Sequence, residues 1–234
     1  MLLVAVTTAL ALARPPLAPP DEATRALEAA LQRSRPALRA VALDLAPSGN
    51  DAALAAAIVP ALSDPDEEVR KAALAALGRS TAPNALDALL ERARAGAAEL
   101  RAHPRELATL LHALGRHADP RSLPALASDA LHSLEPEPLR ARILALGRIR
   151  ARESVDALVA LARALPFAEE QQVLHEVRLA LAVLTGETPG RTVASMARWW
   201  SDQRATFVVP AELPTLPPAL ARRWRAAWDT PAVP

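Results

Sequence analysis

The sequence predicts an all-α protein, an α-solenoid of stacked antiparallel helix pairs, and three observations predict it. Composition is the first: 56 Ala and 39 Leu stand among 234 residues, while Tyr is absent, Phe occurs twice and Gly seven times. Strong helix formers dominate, and the material for a sheet core or a glycine-rich phosphate loop is missing. Periodicity is the second: Val69, Ala72, Ala73, Ala76 and Leu77 recur at helical spacing. Internal repetition is the third. Leu77-Gly78, Leu114-Gly115, Leu146-Gly147 and, more loosely, Leu184-Thr185-Gly186 place their leucines 37, 32 and 38 residues apart, and a worn copy at Leu45 lies 32 residues before Leu77. A single helix pair cannot bury its leucine face alone, whereas a stack buries a continuous core.

The elements follow in chain order. Residues 1–13 carry no charge, are too short to span a bilayer and end in Ala11-Leu12-Ala13, a pattern a signal peptidase could cut. Export to the periplasm or outside is therefore expected, although no Lys or Arg precedes the apolar run. Residues 14–20 read as an extended proline linker, so residues 1–20 stand apart from the fold.

The solenoid proper is expected over residues 21–190, as about five helix pairs after an opening helix at 21–33. Its helices are placed at 36–45 and 51–62, 64–77 and 83–95, 104–114 and 120–130, 138–146 and 154–164, with 168–184 opening the last pair. In the clearest copy Asp64 is expected to cap the helix, Pro65 to take the first helical position, and Gly78 to supply a left-handed stop. Residues 191–234 form a third region. A helix at 192–203 turns Val193, Met196 and Trp200 to the stack, and a proline-rich strap follows. Leu220, Trp224 and Trp228 then fall on one face of a short helix beside Arg222, Arg223 and Arg225. That helix is expected to cap the open end of the stack. The alternatives are docking on a partner or contact with a membrane interface.

The residues from Asp64-Pro65-Asp66-Glu67-Glu68-Val69-Arg70 to Leu77-Gly78-Arg79 resemble the first helix of a HEAT repeat, of the kind also found in phycobilisome-lyase-like HEAT proteins. Leu139-Arg140 and Val177-Arg178 echo Val69-Arg70, and Asp119-Pro120-Arg121-Ser122-Leu123-Pro124 resembles the second-helix pattern. The likeness covers roughly residues 34–190. Leu184-Thr185-Gly186, Gly190 and Trp199-Trp200 are similar to the ending of exported bacterial HEAT-repeat proteins, with Met196 where that ending often has a further Trp. The resemblance implies an interaction scaffold and names no partner.

Chemistry-bearing patterns are few. With no Cys, disulfides, thiolate metal sites and cysteine nucleophiles are excluded. His175-Glu176 opens a zinc-helix pattern, but Leu179 stands where the second His is needed. His103, His112, His117 and His132 read as surface or turn residues, and no Walker, G-x-S-x-G or G-x-G-x-x-G pattern occurs. No cofactor, metal site or catalysis is expected. Arg79, Arg116 and Arg148 sit at one point of successive repeats, so stacking should align them as a ladder, continued by Arg150 and Arg152. That ladder could follow an anion or a nucleic acid. Against this, a cation at a helix C-terminus offsets exposed carbonyls and pairs with an acid such as Asp119, and a net charge of +1 lacks the basic excess of a nucleic-acid protein. Arg70, Arg140 and Arg178 read as bridges to acids of the adjacent repeat.

The expected function is non-catalytic recognition of another protein by a monomer, through a concave wall of the second helices at 83–95, 120–130 and 154–164. Asp87, Glu91, Arg94, Ser128, Asp129, Asp156 and Arg163 are the candidate contacts; Leu220, Trp224 and Trp228 are candidates for tail docking. Anion or nucleic-acid binding at the ladder is the alternative, followed by a chromophore-lyase-like accessory role.

Overall fold

The computed structural model describes residues 22–33, 35–210 and 212–229, so residues 1–20 and the export reading that rests on them lie outside the described residues. No strand occurs among the described residues. The helices are α1 (Glu22–Leu31), α2 (Pro36–Asp44), α3 (Ala52–Ile58), α4 (Glu67–Arg79), α5 (Pro83–Ala95), α6 (Ala97–Ala102), α7 (Pro104–His117), α8 (Leu123–Ala127), α9 (Pro136–Arg148), α10 (Arg152–Ala164), α11 (Phe167–Thr185), α12 (Val193–Gln203) and α13 (Pro218–Asp229). First helices α2, α4, α7, α9 and α11 pack on one another in unbroken order, while α3, α5, α8, α10 and α12 form the second layer. One apolar core runs from Leu27 on α1 to Trp200 on α12, as expected of a stack in which each pair is covered by its neighbours.

The repeating glycine has a different task from the one the sequence suggests. Among the described residues only Ala118, Gly186 and Gly190 have positive φ, so Gly78 is not a left-handed stop. It lies inside the last turn of α4, where a Cβ would fall 2.8 Å from Ala113 Cβ on α7. The same relation recurs between Gly115 and Ala145, at 2.8 Å, and between Gly147 and Ala180, at 2.6 Å. Each Leu-Gly pair therefore buries a leucine and lets the next first helix approach backbone to backbone. Left-handed helix ends do occur, at Ala118 after α7, φ 51°, and at Gly186 after α11, φ 76°.

Three local expectations are corrected. Asp66, not Asp64, caps α4 by accepting from the Glu68 and Val69 amides, which leaves Pro65 ahead of the cap. Asp64 instead accepts from the Asp66 amide and pairs with Arg39 at 2.8 Å, tying α2 to α4. The helix expected at 51–62 ends at Ile58 and continues as a 3₁₀ turn, Val59–Ser63, because Pro60 supplies no amide donor. The helix expected at 120–130 is broken into a 3₁₀ turn at Pro120–Ser122, the five residues of α8, and a second 3₁₀ turn at Asp129–Leu131. There Ser128 is extended, at ψ 138°, and its hydroxyl caps the Ala130 amide.

The first layer is also joined by a buried ionic group. Glu106 on α7 is fully buried; its carboxylate accepts from Arg70 Nε of α4 at 2.9 Å and from Arg92 Nη2 of α5 at 2.6 Å, and Arg92 also reaches Glu99 on α6 at 2.8 Å. Hydrogen bonding to Glu106 raises the Arg70 pKa, and that of Arg92 is raised by Glu99 and Glu106 against the opposing effect of its burial. Arg140 bridges to Glu176 of the next repeat at 3.5 Å, so two of the three repeated arginines link neighbouring repeats.

Candidate functional site

Three surfaces carry the sequence candidates. The first is the edge where the first helices end. Arg79 Nη2 donates to the carbonyls of Leu43 and Asp44 at the end of α2, 3.0 and 3.1 Å away. Arg116 Nη2 donates to the Trp228 carbonyl of α13 at 2.7 Å, and the Arg148 guanidinium lies 4.6 Å above the Trp228 ring. These contacts place cations on helix C-termini, where the dipole favours them. Asp119 is not their counter-ion: it pairs with Arg121 at 3.2 Å and accepts from the Arg121 amide.

Arg79, Arg116 and Arg148 line one cleft of about 580 Å³, together with Ser48, Ser80, Thr81, His117, Asp119 and Arg121. Burial, reinforced by the charge of the neighbouring arginine, lowers the pKa of Arg116 and of Arg148, with Asp229 opposing. Arg150 leaves the row to donate to Pro210 O at 2.7 Å and Val183 O at 3.2 Å. Arg152 is exposed at the start of α10.

The second surface is the outer side of the second helices. Asp87, Glu91, Arg94, Asp129 and Arg163 are exposed, and Ser128 is half-buried. Asp87 pairs with Arg121 at 2.9 Å and Glu91 with Arg94 at 2.7 Å. Asp156 is engaged internally: it accepts from Trp200 Nε1 at 2.8 Å and from Arg204 Nε at 2.6 Å, fastening α12 to α10. Hydrogen bonding to Arg204 accordingly holds the Asp156 carboxyl below its ordinary value. The wall expected from three equal helices is interrupted, because α8 and its flanking turns replace the middle one.

The third surface is the C-terminal helix. Trp224 and Trp228 are buried against Leu179 and Val183 of α11, with Leu144, Leu220 and Ala227 beside them. Trp228 stacks on His112 of α7 at 4.5 Å, where His112 Nε2 donates to Ala227 O at 3.2 Å. Arg223 Nη1 donates to His175 Nδ1 at 3.3 Å. Thus α13 lies across the outer side of α7, α9 and α11, rather than over the end of the stack. The last pair is filled by Val193, Met196 and Trp200 of α12. The indoles rest where side chains are missing: a Cβ at Gly115 would meet Trp228 at 2.7 Å, and one at Gly147 would meet Trp224 at 3.3 Å. The i, i+4, i+8 pattern marks these tryptophans in the sequence, but their landing place on the Leu-Gly glycines requires the stacked repeats to be seen. Glu106 is likewise missed by sequence reasoning, since a glutamate in a first helical turn reads as an ordinary dipole partner.

Residues 23–103 match a family described as HEAT repeats. No curated protein matches the chain.

Proposed function

We propose, on the premise that residues 23–103 belong to the HEAT-repeat family, that this chain is a non-catalytic scaffold that recognises another protein. One observation carries the reading: the array turns the charged sides of α5 and α10 outward, while α13 covers the outer side of three first helices. The open face is therefore that of the second helices, with Asp87, Glu91, Arg94 and Arg163 available to a partner. Exposed ion pairs such as Glu91–Arg94 contribute little to folding, so they can be exchanged for contacts across an interface at small cost. A photo-crosslinking side chain placed at Glu91 or Arg163 should give one discrete protein adduct in the native host, and one at Arg225 on the outer side of α13 should give none. Equal adducts at all three positions, or none anywhere, would overturn the assignment.

Export belongs to the same reading, supported by the uncharged apolar run at 1–13 and its Ala11-Leu12-Ala13 ending. Sequencing the N-terminus of the protein from fractionated host cells tests it. A start just after Ala13 in the envelope fraction agrees, and an intact Met1 in the cytosolic fraction refutes it.

A further inference from the structure

We infer that the cleft between the ends of α4, α7 and α9 binds an extended acidic peptide, with one carboxylate on each of Arg79, Arg116 and Arg148. The inference rests on the reading of the chain as a protein-recognition scaffold and names the chemistry of a segment it would take.

The geometry is that of a built row. Each arginine closes the last turn of a first helix, so the repeat itself sets the spacing. Packed helices lie about 8–10 Å apart, and three residues of extended chain rise about 10 Å, which matches acids at positions i, i+3 and i+6. The guanidiniums are also oriented from behind. Arg79 and Arg116 each commit one nitrogen, Nη2, to backbone carbonyls, and Arg148 is held on the Trp228 ring. Among the described residues the other nitrogens of Arg79 and Arg116, and all three of Arg148, have no hydrogen-bond acceptor, and none of the three arginines forms an ion pair. Half-buried cations side by side with no carboxylate bonded to them, and only the charge of Asp229 acting on Arg116 and Arg148 from a distance, are an arrangement that an arriving anion relieves, through charge-assisted and bidentate hydrogen bonds. Thr81 lines the same cleft with an exposed hydroxyl, while the Ser80 hydroxyl is committed to Gly49 O at 3.2 Å.

A peptide suits the site better than a nucleic acid does. The cleft contains a carboxylate, Asp119, and the whole chain carries a net charge of only +1. A polyphosphate carries a charge at every step and would find no basic field beyond the row, whereas three spaced carboxylates need only the row itself, and Asp119 is already paired with Arg121.

The test uses the full chain and a fluorescent nine-residue peptide with Glu at positions 2, 5 and 8 separated by Thr and Val, followed by anisotropy. Control probes are the same composition with the three Glu adjacent, inorganic phosphate as competitor, and a single-stranded oligonucleotide. The variant is Thr81→Glu: Thr81 is exposed and its amide bond to Gly49 O is main-chain, so the fold is retained, which a thermal melt checks. The spaced peptide should bind with salt-sensitive affinity, tighter than the block peptide, and Thr81→Glu should weaken it about tenfold. Equal binding by the variant, preference for the block peptide or the oligonucleotide, or binding of phosphate alone would overturn the inference. The two readings fail separately. Loss of the Glu91 and Arg163 crosslinks with peptide binding intact removes the second-helix face and leaves the cleft, and the reverse result removes the cleft alone.

Discussion

At the scale of single residues the fold depends on atoms that are missing. Gly115 admits both the Ala145 backbone and the Trp228 ring, each within 2.8 Å of where a Cβ would lie. Gly115→Ala should therefore destabilise the protein by about 1–3 kcal/mol through overpacking, even though alanine is the better helix former. Gly49 has nothing within 4 Å of its Cβ position, so Gly49→Ala should be neutral or gain up to about 1 kcal/mol. Urea titration of both variants decides the matter: equal midpoints would mean that close approach is not what the glycines do. Glu106 supplies a second case. Glu106→Ala strands two arginines that share its carboxylate, and a loss of about 3 kcal/mol is expected. Adding Arg70→Met should recover part of it, and a double-mutant cycle without coupling would remove Glu106 from the network. The sequence made the Leu-Gly period legible but not the reason for the glycine, because the atom that forbids a side chain belongs to the next repeat, 35 residues away in the case of Gly78 and Ala113. In the same way two aspartates two residues apart could each cap α4, and only the Arg39 pairing of Asp64 separates them.

At the scale of elements, helices with long uninterrupted patterns were readable and the second-layer element between α7 and α9 was not. Residues 120–130 carry apolar spacing that suits a helix, yet Pro124 and the extended Ser128 divide it. Tertiary context decided there, since Leu126 and Leu131 are both buried despite the break. The C-terminal helix was readable as an amphipathic element whose target was not. Its removal is a test of how firmly it is held. Truncation before Pro218 uncovers Leu179, Val183 and His112, and the melting temperature should fall by several degrees, on the order expected for losing two buried indoles. An unchanged melt would show α13 to be a separable arm.

At the scale of the whole molecule, acid should loosen the array before it reaches the carboxylates. Burial lowers the pKa of His112 and of His117, although hydrogen bonds to Ala227 O and Leu77 O partly oppose it; burial lowers that of His175 as well. The unfolded chain takes up these protons near the ordinary imidazole value of about 6.5, and the folded chain only at lower pH. Protonation therefore favours unfolding: this contribution is complete above about pH 6.5 and is lost as the pH falls from there towards the folded values. The carboxyls of Asp64 and Asp156 are also depressed, by hydrogen bonds to Arg39 and Arg204, and their contribution disappears only in stronger acid. Melting curves at pH 7.5 and 5.5 should differ, and the difference should shrink in the His112→Gln, His117→Gln double variant; an undiminished difference would place the effect elsewhere.

A row of repeats that touch only their neighbours can come apart from either end like a zipper. The hydrogen bond from His112 to Ala227 closes a circuit of 115 residues, so α7, α9 and α11 are fastened to one another twice, once through their own contacts and once through the returning helix. Fraying from the C-terminal side then has to break the clasp before it can free a repeat. The C-terminal half should open in one step late in unfolding, with the unclasped N-terminal pairs exchanging their amide protons first.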